Sequence, residues 1–247
     1  MDYDTDFNEG YVHSSFGRIY YRRHKTEGKK LIFLHGLGGT TKAWAKLMKF
    51  IPPEFDVSLI DLLGHGKSDA PPGIDYKISD QVQALTEFIA DQNNRESCII
   101  GHSYGGWVAA YYASYPYTAS SFVLADSAGL EEEEEALTKM PDGHNSKEDF
   151  LKELMEYGNK ENVMRSILEA SRKEELTDKI LSGISKPTLI IWGNEDRRVD
   201  VDYASIFSRK IKGSKIEIIE GAGHNPHYTH PEIFAKLVVD FVTSVRA

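Results

Sequence analysis

Short apolar runs alternate with amphipathic segments along most of the chain. The apolar runs predict parallel strands that are buried because helices cover both faces of the sheet. They lie at 31–34, 57–60, 97–100, 121–125, 187–193 and 215–219. Ile78, Val82, Leu85 and Ile89 recur at helical spacing and predict an amphipathic helix. Further helices are predicted over 41–51, 201–211 and 231–245. This alternation predicts an α/β fold with a doubly wound, mostly parallel sheet, whose loops meet at the carboxyl edge.

Two regions depart from this alternation. Segments 11–15 and 18–22 flank Phe16-Gly17 and predict an antiparallel hairpin at the sheet edge. From 128 to 185 strands disappear and the sequence becomes charged and helical, with 15 acidic and 8 basic residues between Glu131 and Ser185. We therefore expect a core of residues 1–127 and 186–247, with a helical cap inserted at 128–185. The acidic run at 131–135 is expected to be a solvated face, and the alternative is an electrostatic selector for cationic substrates.

A serine lies at a sharp predicted turn between a strand and a helix. The sequence is Gly101-His102-Ser103-Tyr104-Gly105, and a side chain at so tight a turn is tolerated where its neighbours carry no bulk. Gly101 and Gly105 supply that freedom and would hold the Ser103 hydroxyl out at the carboxyl edge. This G-x-S-x-G segment resembles the nucleophile elbow of the α/β-hydrolase family.

Two later loops supply partners for that serine. A serine hydroxyl needs a nearby base, and the base needs a carboxylate to fix its tautomer. Ser103, Asp196 and His224 occur in that order, each directly after a predicted strand, which is the chain order of the family. The loop at 35–39, with the sequence HGLGG, is similar to the family's oxyanion loop. The resemblance implies that the backbone N–H groups of Leu37 and Tyr104 bind the oxyanion.

Supporting and competing residues surround this constellation. His35, Gly36, Gly101 and Gly105 are expected to support the site, with His35 bracing the oxyanion loop. Asp126 also ends a predicted strand and is the alternative triad acid, because some members of the family place the acid there. Asp200 and Asp202 are expected to cap a helix rather than to act in the site.

The histidines raise the question of a metal. His224, His227 and His230 occur at intervals of three, but Pro226 and Pro231 interrupt any helix that could align them. We therefore expect no metal. His102 is expected to be a packing residue that points away from the substrate.

Composition narrows the class of protein. The 247 residues are 40% hydrophobic and 27% charged, and no apolar run approaches the roughly 18 residues that span a bilayer. The acidic start lacks the features of a signal peptide, so a cytoplasmic protein is expected. The formal charge of −9 argues against nucleic acid as a partner. Cys98 is expected to be buried, and no phosphate-binding motif or cofactor site is found.

The resemblance implies a serine esterase or lipase-like enzyme with a small helical cap. The expected reaction is cofactor-free hydrolysis of a small or medium carboxylic ester, through an acyl-enzyme on Ser103 that water activated by His224 then cleaves. A serine at the elbow disfavours dehalogenases and epoxide hydrolases, which carry aspartate there. The alternatives are a C–C bond hydrolase of vinylogous diketones, a proline iminopeptidase-like aminopeptidase and a non-catalytic ligand receptor. His102 and Tyr104 depart from the residues usual in the first two classes. The protein is expected to act on a small molecule as a monomer or homodimer.

Overall fold

We describe residues 1–116, 119–130, 147–155 and 158–245 in a computed structural model of the protein. The strands are β1 (Asn8–Ser14), β2 (Gly17–His24), β3 (Lys30–Leu34), β4 (Asp56–Ile60), β5 (Cys98–His102), β6 (Ser121–Ala125), β7 (Thr188–Gly193) and β8 (Lys215–Ile219). The helices are α1 (Ala45–Met48), α2 (Ile78–Asp91), α3 (Tyr104–Ala113), α4 (Lys147–Leu154), α5 (Glu161–Ser171), α6 (Asp178–Ser182), α7 (Asp202–Lys210), α8 (Pro226–Thr229) and α9 (Pro231–Ser244).

All eight strands form one sheet, in the order β1-β2-β4-β3-β5-β6-β7-β8. The β1–β2 and β2–β4 pairs are antiparallel, and the remaining pairs are parallel. This confirms the predicted α/β fold and the hairpin at the sheet edge. The parallel strands therefore end on a common edge, where the loops that follow them lie side by side.

Apolar side chains cover both faces of the sheet. Along β3 they alternate between two core layers, because successive residues of a strand point to opposite faces. Ile32 and Leu34 belong to one layer, whereas Leu31 and Phe33 belong to the other. The layers hold the sheet between helices on each side, and this sandwich fixes the position of the carboxyl edge.

Three local features differ from the sequence predictions. In place of one helix over 41–51, the chain forms a 3₁₀ turn (Thr41–Trp44) followed by the short α1, and the Thr41 N–H at the start of the turn donates to the Asp61 carboxylate, in the loop after β4, at 2.7 Å. The turn α8 was not predicted. Neither expected cap is the N-cap of α7: that residue is Val201, which makes no side-chain cap hydrogen bond, while Asp202 is the first residue of the helix and Asp200 accepts the Asp202 N–H at 2.9 Å.

Three helices lie in the described part of the segment between β6 and β7. It contains α4, α5 and α6, and α5 turns Val163, Met164 and Ile167 toward the interior. The acidic run at 131–135 lies outside the described residues. Within the described part of the chain, no helix combines the length and the apolar character that crossing a bilayer requires.

Candidate active site

Ser103 occupies the tight turn between β5 and α3. Its backbone has φ 51° and ψ −114°, a region that residues with side chains rarely adopt. The Ser103 N–H donates to the Ala125 carbonyl at 2.9 Å, so strand β6 helps to hold the turn. The neighbouring glycines are needed for space: a Cβ on Gly101 would lie 2.2 Å from the Gly105 carbonyl oxygen, and one on Gly105 would lie 2.3 Å from the Leu34 carbonyl oxygen. The surrounding structure thus holds a strained serine in place.

Ser103, His224 and Asp196 form a chain of hydrogen bonds across three loops. His224 Nε2 lies 3.0 Å from Ser103 Oγ, and His224 Nδ1 lies 2.8 Å from Asp196 Oδ2. The other carboxylate oxygen of Asp196 accepts the N–H groups of Arg198 at 2.8 Å and Val199 at 3.1 Å. Because the Asp196 carboxylate accepts a hydrogen bond from His224 Nδ1–H, the lone pair of His224 Nε2 faces the serine hydroxyl. This geometry lets His224 remove the hydroxyl proton of Ser103.

The loop at 35–39 lies against this serine. A Cβ on Gly36 would lie 3.3 Å from Ser103 Cβ, which shows how closely the two loops approach. His35 is buried, and it donates from Nδ1 to the Gly36 carbonyl at 2.8 Å and accepts the Leu62 N–H at Nε2 at 3.0 Å. Burial lowers the pKa of His35, which agrees with a neutral ring in these two bonds.

The backbone N–H groups of Leu37 and Tyr104 are available for an oxyanion. Neither N–H donates a hydrogen bond to an acceptor among residues 1–116, 119–130, 147–155 and 158–245. Tyr104 is the first residue of α3, so its N–H has no partner within the helix, and the helix dipole adds partial positive charge there.

Two further histidines pack behind His224. His102 is buried, and its Nε2–H donates to the His224 carbonyl at 2.7 Å, which ties β5 to the loop of His224. The His227 ring lies 4.4 Å from the His102 ring and 4.5 Å from the Trp44 ring. Burial lowers the pKa of His102 well below its usual range and that of His227 to about 3. Sequence reasoning found neither the His102 bond nor the burial of His227, because both depend on contacts between residues far apart in the chain.

Asp126, the alternative acid, lies beside the triad without contacting His224 Nδ1. It is fully buried, its φ is 43°, and its Oδ1 accepts the Gly193 N–H at 3.0 Å. Asp126, Asp196 and His224 each have a polar atom within 4.8 Å of the other two. In the described ranges this is the group that could share an ion, rather than the run of His224, His227 and His230. Within this group, His224 Nδ1 and Asp196 Oδ2 already form a hydrogen bond with each other.

Two side chains missed by sequence reasoning join the segment between β6 and β7 to the site loops. Asn159 is buried; its Nδ2 donates to the carbonyls of Gly38 and Leu154 at 2.7 Å, and its Oδ1 accepts the Gly66 N–H at 2.9 Å. Arg198 contacts both carboxylate oxygens of Glu153 at 3.0 Å. Both residues lie in polar sequence without periodicity, so no pattern singled them out.

A pocket of about 170 Å³ opens beside Leu37. Most of its lining is apolar, and Arg172 and Glu175 are its charged members. The lining residues are Leu37, Trp107, Ala128, Gly129, Leu130, Ile167, Leu168, Ser171, Arg172 and Glu175. The pocket therefore has one wall in the oxyanion loop, one in α3 and one in α5.

Known proteins resemble this chain over most of its length. Monoacylglycerol lipase ABHD6 of Mus musculus is 27% identical over 96% of this chain and 82% of its own. The pimeloyl-[acyl-carrier protein] methyl ester esterase of Neisseria meningitidis is 29% identical over 88% of this chain and 78% of its own. The crystal structure of a membrane phospholipase A, described as a bacterial virulence factor, superposes with a TM-score of 0.83 at 25% identity, over 98% of this chain and 87% of its own.

The family comparison agrees with the topology of the sheet and with these relatives. The α/β hydrolase fold family matches residues 29–167, which include the oxyanion loop and the elbow. This chain belongs to the α/β-hydrolase fold family, and its relatives include enzymes named as lipases and esterases.

Proposed function

We propose that the protein is a serine hydrolase that cleaves carboxylic esters of short or medium acyl length without a cofactor. The observation that carries the proposal is the hydrogen-bonded chain from Ser103 Oγ to His224 Nε2 at 3.0 Å and from His224 Nδ1 to Asp196 Oδ2 at 2.8 Å. The lipase and esterase relatives support an ester as the substrate class. The fold alone would support many other reactions.

In the first half of the reaction, Ser103 Oγ attacks the ester carbonyl while His224 Nε2 takes the hydroxyl proton. The carbonyl oxygen becomes an oxyanion, which the N–H groups of Leu37 and Tyr104 stabilise. Asp196 accepts from Nδ1–H and stabilises the imidazolium that forms. The intermediate collapses when the C–O bond to the alcohol breaks, and His224 gives its proton to the departing oxygen. The product is an ester between the acyl group and Ser103.

In the second half, water replaces the alcohol. His224 Nε2 removes a proton from this water as it attacks the acyl carbonyl, and the same two N–H groups bind the second oxyanion. Collapse of this intermediate breaks the bond to Ser103 Oγ, which regains its proton from His224. The carboxylic acid leaves and the free enzyme is restored.

The size of the pocket supports a short or medium acyl group. A cavity of about 150 Å³ holds one benzene molecule, so a pocket of about 170 Å³ has room for about six or seven carbon atoms. Leu37 lines this pocket, and its N–H is the proposed oxyanion donor. An acyl chain in the pocket would therefore lie beside the oxyanion loop.

The test combines covalent labelling with turnover. A fluorophosphonate probe should modify Ser103, and Ser103→Ala should lose labelling and lower kcat by at least about 10⁴-fold. Ser166→Ala is the matched control, because Ser166 Oγ bonds only the Asn162 carbonyl in its own helix among the described residues. Mass spectrometry that finds the adduct on another residue would refute the assignment of Ser103.

A substrate panel separates the alternatives. We expect turnover of aryl esters with up to about six acyl carbons, and little turnover of a vinylogous diketone or a prolyl amide. Preference for the diketone or for the amide would replace ester hydrolysis with that reaction. Labelling of Ser103 without turnover of any substrate would favour a ligand receptor.

A further inference from the structure

The Asp126 carboxyl group has no assigned task, although it lies against the acid of the proposed triad. We propose that Asp126 is held as a neutral carboxylic acid and donates a hydrogen bond from Oδ2–H to the Asp196 carboxylate, as a positioning residue for that acid. The inference rests on the proposed function, because it assigns a task within the same hydrogen-bonded chain.

The surroundings of Asp126 do not suit an anion. Its side chain is fully buried, and Oδ1 accepts one N–H, from Gly193. Oδ2 is buried and has no hydrogen-bond partner among the described residues when it is treated as an acceptor. An ionised carboxylate that is buried with a single hydrogen-bond donor destabilises the folded state. A protonated carboxyl can instead donate a hydrogen bond from Oδ2–H to a nearby acceptor.

Asp196 is the acceptor within reach. Polar atoms of Asp126, Asp196 and His224 all lie within 4.8 Å of one another. Two carboxyl groups so close together in a buried site do not both ionise readily, because each anion raises the pKa of the other. One of the pair is therefore expected to keep its proton.

The number of N–H donors around each carboxyl group indicates which of the two acids keeps the proton. Asp196 accepts from the N–H groups of Arg198 and Val199 and from His224 Nδ1, whereas Asp126 accepts from one N–H. Hydrogen bonds to the ionised form favour that form, so the surroundings of Asp196 suit an anion better than those of Asp126 do. Burial, followed by the influence of Asp196, raises the pKa of Asp126 well above its usual range.

The protonation state of Asp126 affects His224 directly. A second anion within 4.8 Å would stabilise the imidazolium form of His224. Among the described residues, the other titratable or charged groups near this cluster are His102, His227 and Arg198. The His102 ring lies 5.0 Å from that of His224 and 4.4 Å from that of His227, and Arg198 pairs with Glu153. With a neutral Asp126, His224 has one anion behind it, and the hydrogen bond from Oδ2 fixes the carboxylate that orients the ring.

The experiment compares Asp126→Asn with Asp126→Leu. The amide of Asn can donate to Asp196 and accept from Gly193 without charge, whereas Leu removes both bonds. We expect Asp126→Leu to lower kcat/KM by about tenfold and Asp126→Asn to restore most of that loss. The acid limb of the pH profile of kcat/KM should have the same pKa in Asp126→Asn as in the wild type. Asp91→Asn, an exposed change at the end of α2, is the matched control.

A downward shift of the acid limb by one pH unit or more in Asp126→Asn would overturn the proposal, because it would show that an anion had been removed. Infrared spectroscopy gives a second readout. The wild type at pH 7.5 should show the C=O band of a protonated carboxyl that Asp126→Asn lacks, and its absence would also overturn the proposal. This band does not depend on turnover, so failure of labelling at Ser103 would refute the proposed function separately.

Discussion

Replacement of Asn159 by alanine should destabilise the protein and weaken catalysis together. This side chain uses the NH2 and the C=O of its amide to join three backbone positions, in Gly38, Leu154 and Gly66. Gly38 and Gly66 are 121 and 93 residues away in sequence. Asn159 therefore connects the segment between β6 and β7 to the oxyanion loop and to the loop that follows β4.

The size of the effect follows from the number of bonds. Each buried hydrogen bond contributes about 1 kcal/mol net, so the loss of three should lower the free energy of unfolding by about 3 kcal/mol. For a protein of this length, that corresponds to a Tm lower by about 6–12 °C. Because Gly38 follows Leu37, whose N–H is the proposed oxyanion donor, kcat should fall by about tenfold with a smaller change in KM.

Thermal unfolding and ester hydrolysis measure the two effects. Asn159→Asp distinguishes the loss of the two donated bonds from the loss of the accepted one. It keeps an oxygen that accepts the Gly66 N–H, but it places a carboxylate oxygen beside the carbonyl oxygens of Gly38 and Leu154. We expect it to be at least as harmful as Asn159→Ala. Asn162→Ala, an exposed change three residues further on, is the matched control and should leave Tm and kcat close to the wild type. A Tm within 2 °C of the wild type for Asn159→Ala would refute this reasoning.

Three other predictions concern the pocket, the buried histidines and the acidic run. Leu168→Ala removes three carbons from the pocket wall, so the preferred acyl chain should lengthen by about two or three carbons in a panel of esters; an unchanged optimum would place the acyl group elsewhere. Burial lowers the pKa of His65 and His227 to about 3, so the unfolded state binds more protons than the folded state below about pH 6.5, and stability should fall as the pH decreases from 7 to 5. By pH 5, each of the two histidines should lower the free energy of unfolding by about 2 kcal/mol, and measurement of that free energy at several pH values checks the prediction. Asp126 has the opposite effect, because the folded state holds one proton on its carboxyl group that the unfolded state releases. Replacement of the glutamates at 131–135 by glutamine should leave the selectivity between neutral and cationic substrates unchanged, and a salt-sensitive loss confined to cationic substrates would contradict this.

The sequence by itself determined the fold and the turn that presents the serine. Buried parallel strands need continuous apolar runs, and the crossover helices need an apolar stripe, so the alternation of the two is visible without a structure. The elbow also leaves a trace in the sequence: Gly101 faces the Gly105 carbonyl within the turn, and Gly105 faces the Leu34 carbonyl of β3, at distances that leave no room for a Cβ. A repeating pattern, and a position that only glycine can occupy, are both visible in the residue types.

Only the tertiary structure decided which distant groups meet. Asp126 and Asp196 both end a strand, and the sequence could not choose between them with certainty. In the fold, the loop after β7 brings Asp196 Oδ2 to 2.8 Å from His224 Nδ1, while the Asp126 carboxyl binds the Gly193 N–H. The bonds of Asn159 and the burial of His227 have the same origin. These contacts join residues far apart in the chain, and a single polar side chain with a distant partner has no periodicity that a sequence could display.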